Sequence, residues 1–347
     1  MKRYLLLPCL LWLTLCAFPQ EYLRLMSYNV RNAKGLDGKH DIQRVANVIL
    51  TARPDVVAIQ EVDSMSIRYY RYVLGELAMR TGMHASFAPA LHLGIGKYGV
   101  GVLSRERPLS ITRVKLPGKR EKRVALIVEF EDYFFCSTHL SLTLKDRMRS
   151  LDIIREYAKE STKPFFLAGD LNDLPDSKFI ACLKNDYEIL NDVDEPTFPA
   201  DNPNRTIDYI TSWKSGEEHI ATVLSQTIDE RVASDHRPVM VTLRRAVCPD
   251  SILSAGVYLQ NSVNGVSASW VTNVSAHSWV EYSLGDTAEL QTVTAYPIYH
   301  DGTVHRADIA GLASGDTLHY RICSQETLGK DKVGHTAKSD FRMFVVP

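Results

Sequence analysis

The sequence predicts an α/β sandwich with mixed sheets, followed by a small all-β domain. Three observations predict it. From Leu23 to Leu243, short apolar runs alternate with amphipathic segments. Strand-like runs at 125–131 and 133–139 follow one another too closely for a crossover helix, which excludes a purely parallel sheet. After Cys248-Pro249-Asp250, helical periodicity disappears and short β-type runs recur at sandwich-like spacing.

The chain opens with a leader. Lys2 and Arg3 form a positive start, and the apolar run Leu5–Ala17 is too short to span a bilayer comfortably. Residues 1–20 read as a signal peptide, so export to the periplasm, cell surface or medium is expected. Leu13-Thr14-Leu15-Cys16 loosely resembles a lipobox, with Leu15 where a small residue belongs. Lipidation at Cys16 and ordinary cleavage near Ala17–Gln20 both stay open.

The region 21–247 carries strands at Leu23–Val30, Val56–Glu61, Val100–Leu103, Ala125–Glu131, Tyr133–His139, Phe165–Asp170, Thr206–Ile210 and Val239–Leu243. Each is brief, rich in Val, Ile, Phe or Tyr, and bounded by polar or Gly/Pro residues. Helical spacing falls at Ile42–Ala52, Tyr69–Thr81, Lys145–Glu160 and Lys178–Lys184. In 250–347, β-type runs fall at Gly256–Gln260, Val266–Val271, Trp279–Tyr282, Thr292–Pro297, Arg306–Ile309, Leu318–Cys323 and Phe341–Val346. Gly311–Asp316 followed by Tyr320 resembles a fibronectin type III strand corner, with the Tyr hydroxyl tied back to backbone, and Trp270 is the expected core anchor.

Composition is that of an ordinary globular protein, 45% hydrophobic and 23% charged. The formal charge is −1, and −3 once residues 1–20 are removed, which argues against a protein whose main task is coating nucleic acid. Four cysteines remain after the leader, Cys136, Cys182, Cys248 and Cys323, without metal-ligand spacing or a specified pairing, so no disulfide is expected.

Six polar clusters carry the chemistry, most at ends of expected strands: Ser27-Tyr28-Asn29-Val30, Gln60-Glu61-Val62-Asp63, Ser137-Thr138-His139-Leu140, Gly169-Asp170-Leu171-Asn172, Ile207-Asp208-Tyr209-Ile210 and Ser234-Asp235-His236-Arg237-Pro238. Singly, each reads more readily as turn or cap chemistry than as a site. In this order and spacing they resemble the endonuclease/exonuclease/phosphatase superfamily, which includes deoxyribonuclease I, repair exonucleases, bacterial sphingomyelinases and inositol-polyphosphate 5-phosphatases. The resemblance runs from about residue 23 to 243. It implies a four-layered sandwich of two mixed sheets, a monomer, and hydrolysis of a phosphoester.

The resemblance also implies roles. Glu61 and Asn29 match the family's metal pair, and their hard oxygen donors favour Mg2+, with Mn2+ as a substitute. Asp235 is expected at the metal or at a second one. Asp170 would orient or deprotonate the nucleophilic water, and Asn172 would hydrogen-bond the phosphate. His236 would donate to a phosphoryl oxygen, with Asp208 fixing its far ring nitrogen. His139 matches the second phosphate-facing histidine.

The substrate is less legible, because specificity lives in the loops. Residues 21–248 carry a net charge of only +1, poor support for tight duplex binding. The basic run Lys119–Arg123, and Arg147 and Arg149, read as solvated surface, and Tyr69, Tyr70, Tyr72 and Trp213 as core or rim packing. The glycines of Tyr98–Ser104 fit close packing or phosphate approach. Arg31–Gly38 resembles an exported bacterial branch of the superfamily more than the repair branch. The expected substrate is therefore a lipid headgroup or small phosphorylated molecule, with a secreted nuclease as the alternative and membrane-surface association following from a lipid substrate or lipidation. A third reading, an inert catalytic fold serving adhesion, predicts eroded motifs, and these are intact.

Overall fold

The computed structural model describes residues 22–119, 121–214, 220–245, 252–253, 257–262, 265–285, 289–298, 301–328 and 333–347. The leader with Cys16, Arg120 of the basic run, and the boundary at Cys248–Asp250 lie outside the described residues. Among the described residues, no helix is long and apolar enough to cross a membrane.

In chain order the first region contains β1 (Tyr22–Asn29), a one-turn segment at Arg31–Ala33, α1 (Ile42–Ala52), β2 (Val56–Ser64), α2 (Val73–Thr81), β3 (His84–Leu93), β4 (Gly96–Ser104), β5 (Ser110–Leu116), β6 (Arg123–Glu129), β7 (Phe134–His139), α3 (Leu144–Lys159), β8 (Phe165–Asp170), α4 (Lys178–Leu183), β9 (Tyr187–Ile189), β10 (Asp208–Trp213), β11 (Ile220–Thr227) and β12 (Val239–Arg245). Two six-stranded sheets result, ordered β11-β12-β1-β2-β4-β3 and β5-β6-β7-β8-β10-β9. Each has one parallel pair at its centre, β1 with β2 and β7 with β8, among antiparallel neighbours.

Three apolar cores separate four layers. Leu25, Ala58, Val102, Leu126, Phe135, Phe166 and Val241 fill the space between the sheets. Met26, Tyr28, Val45, Ile49, Leu74 and Leu77 join the first sheet to α1 and α2. Leu151, Ile154, Leu167, Phe179 and Leu183 join the second sheet to α3 and α4. Strands buried on both faces explain the near-continuous apolar runs. The four-layered α/β sandwich expected from the motifs is the observed fold.

Helix boundaries follow capping. Asp41 accepts from the Arg44 N–H and starts α1, and Ser177 accepts from the Ile180 N–H and starts α4. The expected helix at Tyr69–Thr81 begins instead at Val73, because the Met65 N–H donates to the Arg71 carbonyl and folds 65–72 into a loop.

The C-terminal region is all-β: β13 (Tyr258–Ser262), β14 (Gly265–Val271), β15 (Ala276–Leu284), β16 (Gln291–Thr294), β17 (Tyr296–Pro297), β18 (Val304–Ala310), β19 (Thr317–Thr327), β20 (Val333–Lys338) and β21 (Arg342–Val345). A sheet ordered β13-β14-β18-β17 faces a second ordered β16-β15-β19-β20, with β21 also on β19. Trp270, Val280, Ile309, Leu318, Tyr320 and Ile322 form the core between them, so Trp270 is the anchor expected. The Tyr320 hydroxyl has the Arg342 side chain as a partner. Arg244 of β12 reaches Glu326 Oε1 at 3.5 Å and the Thr327 carbonyl at 3.2 Å, tying the two regions together.

Candidate active site

Strand direction brings the six polar clusters to one edge of the sandwich. Parallel β1 and β2 end side by side, as do parallel β7 and β8. β10 and β12 run antiparallel to β8 and β1, so their starts lie at the same edge as those ends. The register aligns His139 with Asp170 and Asp170 with Asp208. Gly169 permits this pairing, because a Cβ there would sit 2.0 Å from the Thr138 carbonyl oxygen.

Two strained residues aim side chains into the cleft. Glu61 sits in a bulge, where the β2–β4 register shifts between Ile59 and Val62, at φ +56°. Asn172 has φ +54°, with its backbone N–H on Asp170 Oδ1 at 2.9 Å and its amide on the Leu140 carbonyl at 2.9 Å. Left-handed backbone costs about 1–2 kcal/mol per non-glycine residue and persists only where the surroundings impose it.

The side chains form one connected network. Thr197 donates to Asp208 Oδ2 at 2.6 Å, and the same oxygen meets His236 Nδ1 at 2.9 Å. His236 Nε2 lies 3.8 Å from Asp170 Oδ2, and His139 Nε2 lies 3.4 Å from that oxygen. Asn29 Nδ2 reaches Asp170 Oδ2 at 3.2 Å and Glu61 Oε1 at 3.3 Å, joining the two sheets. Ser234 donates to the Asn29 carbonyl at 2.7 Å and pins the strand end.

Burial divides the protons among these groups. Burial raises the Asp170 carboxyl to about 7, against the pull of the His236 charge, with Asp208 adding to the rise. Burial opposes the His236 cation, but the Asp208 charge and hydrogen bond outweigh it and hold the imidazolium up to about 10. His139 is pushed well below the ordinary range by burial, then by the Arg123 and His236 charges, and is neutral. A cationic donor and a neutral histidine therefore flank one carboxylate of raised basicity, the arrangement of an acid–base pair set apart by environment.

Two groupings could hold a metal. Asp170, Asp208 and His236 place ligand atoms within 4.8 Å of one another. In that group, however, Asp208 Oδ2 is committed to Thr197 and His236, and a protonated His236 repels a cation. Asn29 with Glu61 fits better. Glu61 is lifted above the usual carboxylate range by burial and by Asp235 and Glu121, with a lowering contribution from Asn29, so a cation would relieve a repulsion already built into the cleft. The Asn29 amide turns its nitrogen to the carboxylates and its oxygen to the Arg31 N–H at 3.1 Å; turning it over would present a hard oxygen to a cation at the carboxylate side, at the loss of that Arg31 bond.

Of the eight residues expected from the motifs, Asn29, Glu61, His139, Asp170, Asn172, Asp208 and His236 are brought together by this network. Asp235 stands at the rim, its carboxylate 3.4 Å from Arg31 Nε, so its nearest charge is a guanidinium. Arg147 corrects an expectation: it is buried, donating to Asp173 Oδ2 at 2.6 Å and to the Ser141 carbonyl at 2.9 Å, and so braces the Asn172 loop. Arg123 is likewise buried, not solvated, beside Glu121. Gly99 serves close packing, with the Ala88 carbonyl 2.0 Å from where a Cβ would lie. Trp213 packs edge-on against Tyr187 and Tyr69 stacks on His40, while Tyr70 is exposed.

Sequence reasoning passed over Thr197, Ser234 as an anchor, and Phe198, whose ring centre lies 4.8 Å from that of His236. Thr197 and Phe198 lie in a loop without periodicity. Only the long reach of that loop, between strands ending in polar residues, hinted at a site wall.

Comparison with known proteins agrees with this fold. No curated protein sequence matches the chain. An endonuclease/exonuclease/phosphatase structure from Beutenbergia cavernae DSM 12333 superposes with TM-score 0.53 at 20% identity, covering 94% of this chain and 100% of that one. A mannosyl-6-phosphatase from Bacteroides thetaiotaomicron VPI-5482 superposes with TM-score 0.52 at 17% identity, over 64% of this chain and 99% of that one. The human Nocturnin catalytic domain with bound sulfate anion gives TM-score 0.51 at 15% identity, over 65% and 95%. These likenesses are of fold. The sequence profile of the endonuclease/exonuclease/phosphatase family matches residues 26–282, and the chain belongs to that family.

Proposed function

We propose that the protein is an exported, Mg2+-dependent phosphoesterase that cleaves a phosphodiester or phosphomonoester of a lipid headgroup or small molecule by attack of water. The observation that carries this reading is the chain Thr197–Asp208–His236–Asp170–Asn29–Glu61, which joins a held imidazolium, a carboxylate of raised basicity and a hard-oxygen pair in one cleft.

Each group has a task that its surroundings fit. Asp208 holds the protonated His236 ring through Nδ1–H, leaving Nε2–H to donate to a phosphoryl oxygen as charge develops. Asp170, with a carboxyl near neutrality, takes the proton of the attacking water. Neutral His139 donates from the second side without adding charge that would lower the basicity of Asp170. Asn172 is held by its backbone bond to Asp170 so that its position follows the base. A divalent ion held by Glu61 and Asn29 would supply Lewis-acid neutralisation of phosphate charge.

Export rests on the leader at 1–20, and Asp235 as a second-metal ligand rests on the motif alone. We assign 21–247 to catalysis and 250–347 to a fibronectin-like module that docks on it or spaces it from a surface, and we expect a monomer. One of the similar folds is that of a mannosyl-6-phosphatase, which is compatible with a phosphoesterase reading. The test is hydrolysis of bis(p-nitrophenyl) phosphate and p-nitrophenyl phosphate by the mature chain with Mg2+, with and without chelator, beside nicking of supercoiled plasmid. Chelator-sensitive aryl ester cleavage with intact plasmid supports the reading. Chelator-sensitive nicking replaces it with a secreted nuclease, and no hydrolysis of any ester leaves only the adhesion reading.

A further inference from the structure

One charged side chain at the rim has no place in the chemistry above. Arg31 follows Asn29 by two residues, and it opens a run of three left-handed residues, Arg31 at φ +46°, Asn32 at +55° and Ala33 at +56°, none of them glycine. Such a run is unfavourable by itself, so something must impose it.

A set of buried contacts imposes it. Asn32 is buried, with Nδ2 on Asp63 Oδ2 at 3.0 Å and Oδ1 accepting the Asp63 N–H at 3.2 Å. Asp63 is itself held by Arg68 at 2.6 Å and by Ser66 at 2.5 Å. The Asn32 carbonyl meets His40 Nδ1 at 3.0 Å, and the His40 ring stacks on Tyr69 with centres 4.2 Å apart. Ala33 is fully buried and closes the turn through its N–H on the Val30 carbonyl at 2.7 Å. The effect of all this is to hold position 31 beside the Asn29 amide, with the Arg31 N–H on Asn29 Oδ1 at 3.1 Å.

From there the guanidinium faces Asp235 at 3.4 Å through Nε, with side-chain exposures of 40% and 27%. That contact uses the side of the guanidinium rather than a two-pronged pairing, and water reaches both partners, so it is a weak tether. Asp235 is next to His236 in sequence and acts electrostatically on both His236 and Glu61. The cation is therefore stationed at the mouth of a cleft that holds the His236 imidazolium among several carboxylates, where an anionic substrate gains from a second cation.

We propose that Arg31 is a substrate-contacting residue: its guanidinium takes non-bridging phosphate oxygens of the substrate, and Asp235 is the positioning counter-ion that keeps it aimed at the cleft. This deepens the phosphoesterase reading and rests on it. A guanidinium fork matches two phosphate oxygens, whereas an ammonium matches one. Arg31 contributes mainly to binding, because it meets charge that the substrate already carries before the bond breaks.

The test uses the full mature chain. Arg31→Asn removes the cation while keeping a residue that tolerates left-handed backbone, and Arg31→Lys keeps the charge without the fork. Two readouts are taken: kcat and KM for bis(p-nitrophenyl) phosphate with Mg2+, and orthophosphate binding to the Asp170→Asn form by calorimetry. Arg31→Asn is expected to weaken orthophosphate binding and raise KM by about 10-fold or more, with kcat within about threefold, as loss of a charge-assisted bond predicts. Arg31→Lys should recover part of that loss, and millimolar guanidinium ion should lower the KM of Arg31→Asn. Orthophosphate affinity and KM within twofold of the parent in Arg31→Asn would overturn the proposal, as would a fall in kcat and melting temperature with KM unchanged. A parent protein that neither binds orthophosphate nor cleaves any ester sinks the phosphoesterase reading and this one with it. An active parent with an unaffected Arg31→Asn sinks this one alone.

Discussion

The cleft edge of the α/β region and the C-terminal β-sandwich solve the same backbone problem in opposite ways. In the sandwich, among the described residues, left-handed positions are glycines: Gly265, Gly285, Gly302, Gly311 and Gly315. In the α/β region they include Arg31, Asn32, Ala33, Glu61 and Asn172 around the cleft, with Met65 and Arg53 outside it. A glycine turn costs little strain and carries no side chain. A left-handed Glu61 is strained and puts a carboxylate where the strand would not. The difference teaches that the sandwich is built for its own stability, while the cleft edge keeps strain and like charge in exchange for geometry.

The first way to break this comparison is to remove the cleft's charged groups. Asp170→Asn should lower kcat by about 10²–10⁴, as expected for loss of a general base, and His236→Ala by about 10²–10³. Melting temperature is the companion measurement. Asp170→Asn should hold or raise it, since the substitution removes a buried carboxylate, and a large fall would mean that Asp170 is a structural residue.

Next is the metal pair. Mg2+ should raise the melting temperature of the parent protein, because a ligand bound only to the folded state stabilises it. Glu61→Gln should abolish that rise and, in chelator, melt higher than the parent, because burial and the facing Asp235 and Glu121 disfavour the Glu61 charge. A magnesium response that survives Glu61→Gln would move the metal to another ligand set.

Titration sharpens the contrast more gently. In metal-free protein Asp170 and His236 both have folded-state pKa values above their unfolded ones. Asp170, at about 7 against an ordinary 3.8, withdraws its stabilisation as pH rises from about 4 through 7. His236, at about 10 against 6.5, withdraws its stabilisation as pH rises from about 6.5 through 10. Chelated parent protein should thus melt at falling temperature from neutral pH to pH 10, and His236→Gln should flatten that limb. In the sandwich core, burial raises Cys323 from 9 to about 11 and Tyr320 above its ordinary value, so any falling slope from that region begins only near pH 9.

The smallest effect is expected where strain lies outside the cleft. Arg53 caps α1 at φ +53°, exposed, with its backbone N–H on the Ile49 carbonyl. Arg53→Gly should stabilise by roughly 0.5–1 kcal/mol in urea unfolding and leave kcat unchanged. A loss of activity there would show that strain at the helix end is coupled to the cleft after all.

The sequence by itself determined the buried strands, the helices and the site chemistry. β1, β2, β7, β8 and β12 are apolar on both faces because each sheet is covered on both sides, so periodicity and composition agree. The strands it did not reveal in the α/β region, β3, β5, β9 and β11, are the four outer strands of the two sheets, and β20 of the sandwich is also an outer strand. An edge strand such as Ser110–Leu116 faces water along most of its length and can carry charge, so nothing in its pattern separates it from a loop. The same division holds at the site. Asp170, His236 and Glu61 were legible because they stand in recognisable polar motifs at or near strand ends. Thr197, the burial of Arg147 and Arg123, and the pairing of Arg31 with Asp235 were decided by the tertiary structure. Those roles depend on which chain segments meet across the sandwich, and long-range proximity leaves no local mark on residue type or spacing.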